Sequence, residues 1–78
     1  MRETFIHGAD DMHWLFSTHC KTVAPQLATR CHSAVIFGNE DCPEKVLIYW
    51  DEFPLANSAP ACTMVQNENG DLVDNGGF

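Results

Sequence analysis

Residues 10–23 read DDMHWLFSTHCKTV and carry the clearest periodic pattern in the chain. Their apolar side chains, with one imidazole and one thiol, recur at steps of three and four, the spacing of one stripe along an α-helix. The stripe consists of Met12, Leu15, Phe16, His19, Cys20 and Val23. Asp10 is the predicted N-cap, because its side chain can accept a hydrogen bond from the first free amides. The pattern therefore predicts an amphipathic helix that ends before Pro25.

The remaining segments have the composition of β-strands. They are residues 3–7, 32–37, 45–50 and 61–67, after which Asn69-Gly70 is predicted to form a two-residue hairpin turn into Leu72 and Val73. The segment at 45–50 is apolar after its first residue, so we expect a central strand covered on both faces. Between helix and strands, a short further turn from Pro25 to about Arg30 would suit a proline in the first helical position.

The order of these elements predicts an α+β fold. Residues 38–44 and 53–60 are expected to be connections, and residues 71–78 a partly mobile tail. We predict a single domain over residues 1–78, in which one amphipathic helix packs on an antiparallel sheet of three to four strands. Strands that follow one another in the chain are expected to pair.

The charge of the chain argues against two classes of partner. Four Lys and Arg against eleven Asp and Glu give a net charge of −7, which disfavours direct binding to nucleic acid and to anionic membranes. Lys45 is the last basic residue, and the acidic residues beyond it are Asp51, Glu52, Glu68, Asp71 and Asp74. This one-signed segment would attract a basic protein. The simpler alternative is that the charge only keeps a small protein soluble.

The first residues, MRETFIH, do not resemble a secretory signal, and no segment reaches the roughly 20 apolar residues of a membrane span. We therefore expect a cytoplasmic protein, and in that compartment cysteines are thiols. Histidine and cysteine occur as the adjacent pairs His19-Cys20 and Cys31-His32. No Cys-x-x-Cys spacing brings two thiolates to one metal, so we expect no cofactor. The alternative is a zinc-stabilised module with ligands from His19, Cys20, Cys31 and Cys42.

No catalytic pattern stands out. Any cysteine could be paired with any histidine, but no flanking signature of a hydrolase is present. Asp51 and Glu52 follow a strand, as magnesium ligands can, yet no further carboxylate or lysine comes after them nearby. A glycine-rich phosphate loop is also missing from the sequence. We predict that the protein is not an enzyme.

Two aromatic positions favour binding to another protein. Trp14 lies about 200° around the helix from Met12, on the polar side, where either another part of the chain or a partner must cover it. Tyr49 and Trp50 point to opposite faces of their strand, so one of them needs a lid or a partner. We predict that Trp14 and Tyr49 contact the partner. The acidic residues Asp51, Glu52, Glu68, Asp71 and Asp74 are predicted to contact it as well.

The predicted function is thus a small acidic, non-enzymatic module that binds and antagonises a macromolecular partner. One version is a mimic of nucleic-acid charge that blocks a basic nucleic-acid-binding protein. Small acidic phage-encoded inhibitors, including anti-CRISPR proteins, share this size and charge, although no residue motif carries the similarity. A homodimer formed by an exposed Trp14 face or an open sheet edge is a further alternative.

Overall fold

The strands of the computed structural model, which describes residues 2–77, pair in the order in which they occur in the chain. They form one antiparallel sheet in the order β1-β2-β3-β4-β5. The elements are β1 Glu3–His7, α1 Ala9–Thr18, α2 Pro25–Ala28, β2 Ser33–Asn39, β3 Cys42–Tyr49, β4 Cys62–Gln66 and β5 Leu72–Asp74. The α+β fold and the neighbour pairing are confirmed, whereas the sheet has five strands rather than three to four. Met1 and Phe78, the ends of the predicted domain, lie outside the described residues.

Helix α1 begins and ends earlier in the chain than predicted, and its N-cap is a different residue. Gly8, not Asp10, is the N-cap, because β1 ends at His7 and the chain turns at once through a glycine with φ of 93°. Asp10 lies inside the first turn, where a carboxylate suits the positive end of the helix dipole. At the other end the backbone amides of His19 and Cys20 both donate to the Leu15 carbonyl, which closes the helix.

The predicted apolar stripe nevertheless lies in the core, except for His19, which is half-buried and contacts Trp14. Met12, Leu15 and Cys20 are buried, and Phe16 and Val23 pack against them, although the last part of the stripe is no longer helical. The sheet contributes one residue in every two to this core, since alternate strand residues point to the same face. These residues are Ile6, Ala34, Ile36, Val46, Ile48, Cys62, Met64 and Leu72. The core therefore lies between α1 and one face of the sheet.

Strand β3 is central, as predicted, but it is not covered on both faces. Val46 and Ile48 are fully buried on the core side, while Leu47 and Tyr49 are only half-buried on the other. The apolar character of this strand misled the prediction, because a half-exposed sheet face can also be apolar.

The two hairpins at one end of the sheet differ from their predictions. Asn39 pairs with Cys42, so only Glu40 and Asp41 form the turn within the predicted polar connection. The second hairpin pairs Gln66 with Leu72 and therefore has a five-residue loop rather than a two-residue turn. In that loop the Asn67 side-chain oxygen accepts hydrogen bonds from two backbone amides further along, each at 2.9 Å. This end of the sheet is called the hairpin end, and the opposite one the Tyr49 end.

The chain after β5 stays beside β4. The Thr63 amide donates to the Gly76 carbonyl at 2.9 Å, and the Asn75 amide donates to the Thr63 carbonyl at 2.8 Å. The predicted mobility of residues 71–78 stays a prediction. Separately, neither helix within residues 2–77 has the length and apolar character needed to cross a membrane.

Replacing Leu15 with Ala should lower the free energy of unfolding by about 2–5 kcal/mol, because this side chain is fully buried beneath the sheet and its loss leaves a cavity. Leu55→Ala is the matched control, since Leu55 is 75% exposed. It should change stability by less than about 0.5 kcal/mol. Urea unfolding followed by tryptophan fluorescence measures both variants, and equal losses would contradict the proposed core.

The docking of the C-terminal segment predicts that Gly77→Ala releases it. A Cβ atom there would lie 2.1 Å from the Ala61 carbonyl oxygen, so the backbone must move away. Amide hydrogen exchange at Thr63 should then become faster, because its acceptor on Gly76 is lost. Gly76→Ala is the control, since it also places a side chain at positive φ but meets no atom within 4 Å. Unchanged exchange at Thr63 in Gly77→Ala would show that the segment is held in another way.

Candidate functional site

The sheet face that points away from α1 is mainly apolar and is not fully covered. We call it the open face; by register its members are Glu3, Phe5, His7, Ser33, Val35, Phe37, Lys45, Leu47, Tyr49, Thr63, Val65 and Val73. The three β1 residues and Lys45 are exposed, Ser33 is buried, and the others are half-buried. Every strand contributes at least one of these residues. Because neighbouring strands are hydrogen-bonded side by side, the open face is a continuous surface, with Glu3 at its edge beside Phe37.

The register of the sheet arranges these residues in cross-strand rows. One row runs Phe5, Val35, Leu47 and Thr63 across four strands. A second row runs Phe37, Lys45, Val65 and Val73. Residues directly opposite one another in antiparallel strands lie close enough for their side chains to touch. The Lys45 ammonium nitrogen lies 5.2 Å from the Phe37 ring centre, a cation–π contact that holds the charge along the face.

Aromatic contacts extend the open face at its β1 edge. The Phe53 ring centre lies 4.7 Å from that of His7 and 6.4 Å from that of Phe5. His7 Nδ1 is also 3.3 Å from a Glu52 carboxylate oxygen. These contacts hold the segment after β3 against the edge strand, yet Phe53 remains 68% exposed. Apolar surface therefore continues from the sheet onto this segment.

The predicted acidic partner residues do not form one patch. Asp51 and Glu52 follow β3 at the Tyr49 end, whereas Glu68 and Asp71 lie in the loop at the hairpin end. Five to seven residues of strand separate the two groups, about 20 Å at 3.3 Å per residue. They flank the open face rather than covering it.

Asp74 has an internal role. Its carboxylate oxygen Oδ1 accepts from the Gly76 amide at 2.8 Å, and the Cys62 thiol lies 3.5 Å from the same oxygen. Asp74 also pairs with Met64, whose side chain is in the core, so it is on the opposite face of the sheet from the open face. Its contacts explain why an acidic residue stands at the end of β5.

The predicted aromatic partner residues are also separated. Tyr49 lies on the open face, while Trp50 contributes to a cleft on the helix side, so their predicted placement on opposite sides is confirmed. Trp14 is 36% exposed on α1, and the ring of His19 meets it edge-on at 5.2 Å. His19, which follows the last residue of α1, is thus one neighbour that covers Trp14. Trp14 and Tyr49 therefore cannot contact one small partner surface together.

The residues of the zinc alternative are not brought together. Cys31 precedes β2 at the Tyr49 end, and Cys42 lies at the hairpin end, opposite Asn39. Burial raises the pKa of Cys20 to about 12, with Cys62 adding to the rise, and raises that of Cys31 to about 11 despite the lowering effect of Arg30. Zinc binds thiolates, which these environments disfavour. Across residues 2–77 no group of three or more His, Cys, Asp or Glu is placed to hold a metal ion.

The open face was not predicted from the sequence. Its residues do occur at every second position, as Val35 and Phe37 do in β2 and Thr63 and Val65 do in β4. The residues between them, Ile36 and Met64, are also apolar, so polar and apolar residues do not alternate and neither face could be identified as exposed. Comparison with protein-family models, curated proteins and solved structures finds no match to this chain.

Cys42 is the thiol expected to react first with iodoacetamide at pH 8. Cys42 is exposed, whereas Cys20, Cys31 and Cys62 are buried. The thiolate is the reactive form and is populated as the pH rises through the pKa, so the raised pKa values of Cys20 and Cys31 keep both groups protonated at this pH. Intact-mass analysis should show one rapid adduct, absent in Cys42→Ser, and four only in urea. A second rapid adduct on the folded protein would contradict this arrangement.

Proposed function

We propose that this protein is a non-enzymatic binding module that holds a basic partner protein against its open face. The observation that carries the proposal is the continuous, partly exposed apolar surface formed by all five strands. Five strands about 4.8 Å apart and five residues of about 3.3 Å each give a face of about 20 by 17 Å. That reaches the few hundred Å² at which an exposed apolar patch commonly marks an interaction surface.

The charge of the chain supports a basic partner. Asp51 and Glu52 at one end of the sheet, and Glu68 and Asp71 at the other, would meet cationic residues that surround an apolar centre on the partner. Such charges at the rim of an interface mainly accelerate association and exclude wrong partners. A second copy of the chain carries the same net charge of −7 and would be repelled. This favours a different protein over the homodimer.

Within the class of basic proteins, we propose a nucleic-acid-binding protein as the partner, with antagonism as the result. The side chains of such a protein that neutralise phosphates would find carboxylates instead. The open face would supply apolar contact that nucleic acid does not offer in the same form. The partner would then lose access to its nucleic acid while this chain is bound.

The test uses the tagged chain to capture proteins from a lysate of the cells in which it occurs, followed by purification of the captured protein and measurement of its Kd. Leu47→Thr should weaken binding at least tenfold, because Leu47 is central on the open face and its apolar contact area is reduced. Threonine is β-branched and therefore suits a strand, so the fold should be retained. Raising the salt concentration should slow association. The partner's binding to nucleic acid should fall as this chain is added.

Leu55→Thr is the matched control. It makes the same chemical change at a leucine that is 75% exposed but lies outside the open face, and binding should be unchanged. Thermal unfolding of both variants checks that the fold is retained. Equal weakening by the two variants, or a loss of binding in Trp14→Ser with none in Leu47→Thr, would move the interface away from the open face. A complex that contains only copies of this chain would replace the basic partner with a homodimer.

A further inference from the structure

A cleft of about 670 Å³ lies on the helix side of the sheet, at its Tyr49 end. Its apolar wall is formed by Met12 and Phe16 from α1 and by Ala28 from α2. Trp50, Asp51 and Glu52, which follow β3, complete it. The volume is within the range of pockets that take small ligands or single large side chains. The open face lies on the opposite side of the sheet, so the cleft is a separate feature.

The acidic part of the cleft is held in place. The Ser33 hydroxyl, fully buried, donates to the Asp51 backbone carbonyl. One oxygen of Glu52 lies 3.3 Å from His7 Nδ1, so it is directed to the edge strand rather than into the cleft. The Asp51 carboxylate makes no hydrogen bond or ion pair with any residue in the range 2–77. Asp51 is therefore the unpaired carboxylate beside this apolar cavity, and Glu52 lies next to it in the lining.

The carboxylates beside the cleft favour a cationic ligand. Its described lining residues include no lysine or arginine, although the Arg30 side chain lies next to the cleft, over the Trp50 ring. Gly8 and Ala9 at the start of α1 also border it, and a helix start alone would favour an anion. Asp51 and Glu52 would repel that anion at close range. His13 and His32 line the cleft as well.

The Trp50 ring already has a cation of the chain beside it. The guanidinium carbon of Arg30 lies 5.2 Å from the centre of the Trp50 ring, within the range of a cation–π contact. An arriving basic side chain would instead meet the Asp51 carboxylate and an apolar wall for its methylene groups.

We propose that the cleft binds a basic side chain, arginine or lysine, with its stem along Met12 and Phe16 and its cation at Asp51, beside Glu52. Arginine fits better, because its planar group can donate two parallel hydrogen bonds to one carboxylate. In the cell this side chain would belong to the basic partner, so its source rests on the proposed function. The recognition itself depends only on the cleft.

The test uses a capped amino acid as probe. N-acetyl-arginine methylamide is titrated into the ¹⁵N-labelled chain at low salt, and N-acetyl-norleucine methylamide serves as the uncharged analogue. The arginine probe should shift the Trp50 indole N–H signal and the amides of Met12 and Phe16 in a saturable way. The norleucine probe should bind at least tenfold more weakly. No saturable shift, or equal binding of both probes, would overturn the assignment.

A pair of charge-matched variants tests the role of the carboxylates. Asp51→Asn with Glu52→Gln should weaken arginine binding at least tenfold. Glu40→Gln with Asp41→Asn makes the same change of charge at the hairpin end and should alter binding less than twofold. Equal weakening in both would show attraction to net charge only. Leu47→Thr should leave probe binding intact, so failure of the open face as an interface and failure of the cleft are distinguishable.

Discussion

The packing of α1 against one face of the sheet is the contact on which the rest of the structure depends. Leu15 is fully buried there, with Met12 beside it, and the buried residues of every strand converge on the same layer. Within residues 2–77, one ten-residue helix and one helix of a single turn accompany a sheet of five strands. These helices cover one face only. The open face therefore follows from the order of the elements.

The same constraint explains why the two candidate sites lie on different sides of the molecule. On the open side, apolar residues lack a covering layer among residues 2–77, which is why we propose that a partner protein buries them. On the helix side, α1 and α2 do not close against the end of β3, which leaves the cleft. Asp51 and Glu52 stand where β3 passes between these two sides, and Glu52 contacts His7 of the edge strand. These carboxylates thus lie at the end of the sheet, and the partly exposed apolar residues lie along its strands.

Much of the fold could be predicted from the sequence, because periodicity reports burial directly. The stripe from Met12 to Val23 identified the core side of the helical layer even where the chain is not helical, since a turn of similar spacing can bury the same residues. The predictions were wrong where the local backbone geometry determines how a helix starts or how a hairpin turns. A glycine with positive φ, not Asp10, starts α1, and the Asn67 side chain builds a five-residue loop where a two-residue turn was expected. Those choices depend on where the neighbouring strand lies.

The candidate sites were less predictable than the fold, for a related reason. In the sequence, Asp51 and Glu68 belong to the same acidic segment after Lys45. In the fold, the antiparallel strands place them at opposite ends of the sheet. Apolar content alone could not separate a buried strand from a half-exposed one, so β3 was assigned a second cover that it lacks. A charge or an apolar residue acquires a role only through its neighbours across the strands. The register of the sheet, rather than the order of residues in the chain, determines which of them can meet a partner together.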